Sequence, residues 1–185
     1  YKGLFAEQGG FDIPSNWTAG LAWQPDPKWL LAVDFQRISY SDAASVSNPS
    51  TQVLTCFGGD ASACLGGSAG AGFGWQDIDV WKVGVQYAID TRLTLRAGYN
   101  KGDNPITSAN VTFNILAPGV MTSHYTAGLS YALAKDSEVT AALMIAPRVT
   151  VSGPSLFNGF MGGAAGNETI GMRQMSLGLA YSQKF

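Results

Sequence analysis

The sequence predicts an all-β chain, the wall of an antiparallel up-and-down transmembrane β-barrel. Three observations carry that expectation. Period-two alternation of apolar and polar residues recurs from end to end, whereas helical periodicity is weak throughout. Charged residues make up only 13% of the chain while apolar types reach 46% and glycine 23 of 185 residues, a composition poorly suited to a water-facing surface. Short and long connections alternate strictly along the chain.

Seven segments show the alternation: Asn16 to Gln24, Trp29 to Tyr40, Asp79 to Ala88, Arg92 to Lys101, His124 to Leu133, Glu138 to Thr150, and Met172 to Phe185. Most reach the roughly 9–11 residues that a tilted strand needs to cross a bilayer. Soluble strands average shorter. Pro25 to Lys28, Ile89 to Thr91 and Ala134 to Ser137 supply Asp, Pro and Ser for tight reversals. Long Gly-, Ser-, Asn- and Pro-rich connections, about 41–78, 102–123 and 151–171, fill the other gaps. In outer-membrane barrels the short turns are periplasmic and the long loops extracellular.

The side-chain parities decide which face meets lipid. One collects Trp17, Leu21, Trp23, Val33, Phe35, Trp81, Val83, Leu93, Leu95, Tyr99, Tyr125, Leu129, Leu143, Leu177 and Leu179; the other collects Thr18, Gly20, Asp34, Gln36, Lys82, Gly84, Gln86, Arg96, Gly98, Thr126, Gly128, Ser130, Thr140 and Gly178. The second set is small and mostly neutral, which suits a lumen better than a solvated exterior of mixed Lys and Glu. Aromatics Trp23, Trp29, Tyr87, Tyr131, Tyr181 and Phe185 stand near the short turns, where an interfacial girdle is expected. The charged exceptions on the apolar parity, Arg37 and Arg173, lie near the long-loop ends, where a cation costs about 0–1 kcal/mol instead of the ~2–4 kcal/mol of the midplane.

Other function classes are disfavoured. A net charge of −2 without a basic block argues against nucleic acid. No apolar run approaches the ~18 residues of a membrane helix. Tyr1 opens no secretory leader, so the chain reads as mature or as cut from something longer. Cys56 and Cys64 match no metal-site spacing and are either a local disulfide or two free thiols. His124 is the only histidine, so no His-based metal cluster can form within the chain. A Ser-His-Asp hydrolase using Ser130 would lack the Gly-x-Ser-x-Gly elbow. No catalytic residue, metal or cofactor is therefore expected.

"IPSNWTAGLAWQPDPKWLLAVDFQRISYSD" (Ile13 to Asp42), with its Pro14 and Trp17 strand entry, "VWKVGVQYAIDTRLTLRAGYNKGDNPI" (Val80 to Ile106), "HYTAGLSYALAKDSEVTAALMIA" (His124 to Ala146) and the terminal "LGLAYSQKF" (Leu177 to Phe185) resemble the C-terminal part of the outer-membrane long-chain fatty acid and aromatic hydrocarbon transporter family (FadL/TodX-like). The resemblance implies a fourteen-stranded barrel plugged by an N-terminal hatch, of which this chain would supply the last half. It implies capture of hydrophobic substrate at extracellular loops, passage through a lumen pocket and sideways exit into the outer membrane of a Gram-negative bacterium. The hatch and the exit strand belong to the part this sequence lacks. A final aromatic residue, here Phe185, resembles the signal read by barrel assembly machinery.

Candidate path residues are the lumen-parity Lys82, Gln86, Arg96, His124 and Arg148. The cations could meet a substrate carboxylate or pair with Asp34, Glu138 or plug residues and hold the wall. The lumen-parity glycines could admit a plug or ligand, or relieve crowding where tilted strands curve. Phe113, Ile115 and Leu116, with Leu156, Phe157 and Phe160, are apolar segments of long loops, either a greasy landing site or loop-on-loop packing. Gly66 to Gly74 lacks the setting of a dinucleotide fingerprint and reads as flexible loop. The expected activity is diffusion of hydrophobic compounds through a plugged barrel; a general diffusion porin and a soluble lipid-binding barrel are the alternatives.

Overall fold

The structure is a computed structural model and describes residues 5–6 and 10–184. Phe185 lies outside the described residues, and so does the role expected of it. Among the described residues, seven strands form one antiparallel sheet in the order of the chain: β1 (Ser15–Asp26), β2 (Trp29–Ser39), β3 (Ile78–Ala88), β4 (Leu93–Gly102), β5 (Ser123–Ala134), β6 (Ser137–Pro154) and β7 (Asn167–Gln183). This is the meander that period-two patterning predicts. No helix among the described residues is long and apolar enough to cross a membrane.

Aspartate carboxylates close the first two of the three short turns. The Asp26 carboxylate accepts from the backbone N–H of Lys28 (2.7 Å) and Trp29 (3.2 Å). Asp90 accepts in the same way from Arg92 (2.7 Å) and Leu93 (2.9 Å), and these two N–H groups hold its carboxyl below the usual range. Such Asx turns reverse the chain with few residues and fix hairpin register.

That register aligns the outer face in rows. Val33, Val83, Tyr99, Tyr125, Ile145 and Met175 are successive partners across six strands. Two aromatic belts border the apolar rows. One, at the short-turn end, includes Trp29 against Tyr87 with ring centroids 4.4 Å apart. The other, toward the long loops, stacks Trp17 on Phe35 (5.3 Å), Phe35 on Trp81 (4.8 Å) and Tyr99 on Tyr125 (4.9 Å). Leu21, Trp81 and Leu177 are 68%, 55% and 71% exposed. A water-soluble fold would bury such rows, because each large apolar side chain gains about 1.5–3 kcal/mol on leaving water.

β6 and β7 run further toward the long-loop end than the alternation indicates, so the third connection is shorter than the expected 151–171. The cause is a β-bulge. Ala146 pairs with Gln174 and Val149 with Met172, which leaves Pro147 and Arg148 together opposite Arg173. One extra residue reverses the facing of every later residue of β6. Pro147 suits this place because a bulge does not need its missing N–H. Beyond the bulge Val149 and Val151 join Met172 and Ile170 on the inner face, where they pack with Ile106, Val111, Val120 and Trp75.

The core of the chain is thus in the loops and not in the sheet. Between β2 and β3 stand two short helices, α1 (Ala44–Ser47) and α2 (Gln52–Phe57). Val53, Leu65 and Ala71 of this connection pack on Phe113 of the second, with Leu156 of the third against them. The Gly66 to Gly74 stretch, expected to be a flexible loop, is instead packed: Gly70, Ala71, Gly72 and Gly74 are buried. A Cβ at Gly72 would meet backbone atoms of Ala44 and Asn48 at 2.7 Å. Only glycine permits that approach.

Candidate functional site

Because β-strand side chains alternate, the residues opposite the lipid-facing rows form a continuous inner face. Its polar groups join across strands in two clusters. In the first, Lys82 Nζ donates to Gln36 Oε1 (2.8 Å) and Gln36 Nε2 donates to Asn16 Oδ1 (3.3 Å). In the second, Arg96 donates from Nε to Gln86 Oε1 (2.8 Å) and from a terminal nitrogen to Ser130 Oγ (2.8 Å). Ser130 continues to Thr140 (2.9 Å), and the Thr140 hydroxyl donates to Glu138 (3.2 Å). Neutral partners take up the cations' donors and leave their charge uncompensated by direct ion pairing, since the ion pairs among the described residues are those of Arg37.

Between the clusters the wall loses its inner side chains. Gly84 pairs with Gly98, Ala32 lies across from Gly84, and Gly128 pairs with Ala142. The resulting hollow of about 440 Å³ has Arg96, Gln86 and Thr140 at one edge. At the far edge of the sheet, the Asp34 carboxylate occupies the space that a side chain on Gly20 would need. The glycines therefore do two things here: at Gly20 and Gly98 a neighbour, the Asp34 carboxylate or the Thr126 hydroxyl, fills the room, and at Gly84 a trough stays open.

The predicted path residues do not all converge. Lys82, Gln86 and Arg96 share this face; His124 sits on it opposite Asn100, nearer the loops. Arg148 departs from the expected lumen placement. The bulge puts it on the face of Arg173, with Nε 3.6 Å from where a Cβ on Gly171 would stand. Asn16 and Thr140 in these clusters are not marked by pattern alone, and Glu138, a candidate partner of the cations, connects to Arg96 only through Thr140 and Ser130. Their shared parity and cross-strand spacing were the available signal.

Above the trough lies the loop tier, held by buried polar groups. Asn114 is fully buried; its Oδ1 accepts from Trp75 Nε1 (2.6 Å), and its Nδ2 donates to the carbonyls of Phe73 (2.6 Å) and Asn110 (2.9 Å). Asn110 Oδ1 accepts from the Ser50 hydroxyl (2.8 Å) and backbone N–H (3.1 Å). Leu156 N–H donates to Thr112 (2.8 Å) and so ties the third connection to the second. Cys56 and Cys64 are bonded to each other. The Ser62 hydroxyl and then its backbone N–H hold the Asp60 carboxyl below its usual pKa, and the Ser41 N–H does the same for Asp77. Burial pushes the Tyr40 phenol up.

This tier divides the six apolar loop residues. Phe113 is buried in the loop core and Leu156 packs against it. Ile115, Leu116, Phe157 and Phe160 remain 57%, 67%, 41% and 70% exposed, as do Phe57 and Met161 at 59% and 56%. No group of acids, histidines or cysteines among the described residues could hold a metal ion.

A sheet with bare apolar rows outside, a small and polar inner face, tight turns at one end and packed loops at the other defines the wall of an outer-membrane β-barrel. Residues 8–155 match the outer membrane protein transport protein family (OMPP1/FadL/TodX), and the chain belongs to that family. The fold is similar to the crystal structure of the Pseudomonas putida toluene transporter TodX, with a TM-score of 0.61 at 21% identity over 95% of this chain and 36% of that one. It is also similar to a Pseudomonas aeruginosa FadL homologue (TM-score 0.54, 14% identity, 92% of this chain and 36% of that one) and to the Ralstonia pickettii toluene transporter TbuX (0.50, 16%, 92% and 33%). The chain spans about a third of the length of each. No curated protein matches the sequence.

Proposed function

We propose that this chain is the C-terminal part of the barrel wall of an outer-membrane channel through which hydrophobic compounds, long-chain fatty acids or aromatic hydrocarbons, diffuse inward. The observation that supports this reading best is the pairing of exposed loop apolars, Ile115, Leu116, Phe157 and Phe160, with an inner trough of about 440 Å³ whose polar groups are few and mutually hydrogen-bonded. A greasy entrance over a passage with little charge favours an apolar solute over a hydrated one. Arg96 and Lys82 are the polar anchors in this proposal, able to meet a carboxylate head, and His124 lines the way between loops and trough. No bond is made or broken by the chain. An N-terminal portion with its hatch would complete the barrel along the open edges of β1 and β7, since unpaired strand edges are not tolerated in hydrocarbon. Assembly machinery reading Phe185 would insert it.

Uptake of a radiolabelled long-chain fatty acid and of toluene by cells carrying the full-length protein, measured beside sugar-driven swelling of proteoliposomes, tests the proposal. Uptake of either apolar compound with exclusion of the sugar is the expected result. Free passage of sugars would make the protein a general diffusion porin.

A further inference from the structure

The bulge of β6 assembles a feature that the inner-face chemistry does not use. Arg173 of β7 stands on the outer face opposite Pro147 and Arg148, and the extra residue brings Arg148 to the same face. Gly171 has no side chain there, so Arg148 lies along the strand backbone with its Nε 3.6 Å from the missing Cβ position. Directly toward the short-turn end the outer face is hydrocarbon: Ile145 and Met175 are 43% and 78% exposed. Directly toward the loops it is hydroxyl: Thr150 comes first, then Ser152 and Thr169 bonded at 2.7 Å. Two guanidinium groups therefore mark the level at which the outer surface changes from apolar to hydrophilic.

Neither is neutralised within the described residues. Among the described residues, no carboxylate lies within ion-pairing distance of Arg148 or Arg173. Arg37, the other arginine on the outer face near the loops, shows the contrast, being bonded to Asp79 at 3.1 Å and Asp77 at 3.6 Å. Adjacent like charges beside a low-dielectric surface repel strongly unless an anion joins them. The anion present at that depth on the extracellular side of an outer membrane is the phosphate of the outer-leaflet glycolipid.

We infer that Arg148 and Arg173 form a binding site for the phosphorylated sugar head of that glycolipid, lipid A. The two guanidinium forks donate to phosphate oxygens, a geometry that arginine satisfies better than lysine. Thr150 and Ser152 offer hydroxyls to the sugar. The acyl chains then run down Ile145, Met175, Leu143 and Leu177. This site concerns the lipid around the barrel and stands whether or not the channel carries fatty acids.

The test is native mass spectrometry of the detergent-purified full-length protein titrated with bisphosphorylated lipid A, its dephosphorylated form and phosphatidylglycerol. With each surface cation worth a factor of about five toward anionic lipid, Arg148→Gln or Arg173→Gln should weaken binding of bisphosphorylated lipid A about fivefold and the double variant about thirtyfold. The dephosphorylated lipid should bind weakly and alike to all of them. Lys135→Gln, at the opposite end of the wall, should bind as the unchanged protein does. Wild-type affinity in the double variant, or equal binding of the dephosphorylated lipid, overturns the site. Phosphatidylglycerol bound as tightly, with the same dependence on the arginines, overturns the assignment to lipid A. If the double variant does not assemble, the single Arg148→Gln protein and the two lipid A forms decide between the same outcomes.

Discussion

Below the bulge and above it, the hairpin of β6 and β7 is built with opposite polarity. In the lower tier Leu143, Ile145, Leu177 and Leu179 point out, while Thr140, Gly178 and Ser176 point in. In the upper tier Arg148, Thr150, Ser152 and Thr169 point out, while Val149, Val151, Ile170 and Met172 point into a packed core. One rule accounts for both: apolar side chains face whatever is not water. Lipid plays that part below and the loops play it above, so the inversion at Pro147 and Arg148 records where the chain leaves the membrane.

Giving the extra residue a partner should have the largest effect. Insertion of an alanine between Met172 and Arg173 would pair Arg148 in regular register, return β6 to a single parity and turn Val149 and Val151 outward, with Met172 and Ile170, at a cost of about 3 kcal/mol or more from their lost burial. Urea unfolding of the full-length protein in vesicles should show that loss, with protection disappearing first in the upper tier. Next comes the placement of charge. Leu143→Arg puts a cation among the lipid-facing rows and should cost about 2–4 kcal/mol, whereas Thr150→Arg, a short way up the same strand and on the same face, should cost about 0–1 kcal/mol. Equal costs in the same unfolding assay would erase the distinction between the tiers.

A smaller effect is expected inside the loop tier alone. Asn114→Ala leaves the Trp75 indole N–H and two carbonyls without their partner, worth about 1–3 kcal/mol. Hydrogen exchange should quicken around 46–75 and 106–120 and stay unchanged in β3 and β4. The smallest effect is that of acid. Asp60 and Asp77 have lowered pKa values in the folded chain, so their contribution is complete above the ordinary carboxylate pKa of about 4 and is lost as pH falls through the lowered values. Acrylamide quenching of Trp75 should rise modestly at pH 3, and the change should be reduced in Asp77→Asn.

How much of this was legible in the sequence follows from the same polarity rule. β1 to β5 keep one register with lipid, so strict alternation located them, and Asp26 and Asp90 marked their turns. The end of β6 beyond Thr150 and the start of β7 before Met172 escaped because the alternation changes phase at Pro147 and because Gly153, Pro154, Asn167 and Gly171 read as loop. The bulge likewise moved Arg148 off the lumen parity to which counting by twos had assigned it. Lys82, Gln86 and Arg96 lie on uninterrupted strands, where counting by twos gives the face they share. Loop interiors were the least readable: which of Phe113 and Leu116 is buried depends on contacts with Val53 and Leu156, 60 and 43 residues away in the chain. No local pattern encodes such contacts.

Tryptophan quenching by brominated lipid tests the central claim most directly. Trp81 stands on the outer face of β3 and Trp75 in the loop core six residues before it. In full-length proteins retaining one or the other of these as the sole tryptophan of this chain, with any elsewhere replaced, and reconstituted in bilayers brominated along the acyl chains, Trp81 should be strongly quenched and Trp75 hardly at all. Trp81 untouched by the brominated lipid but quenched by aqueous iodide would place these rows in water and contradict the account.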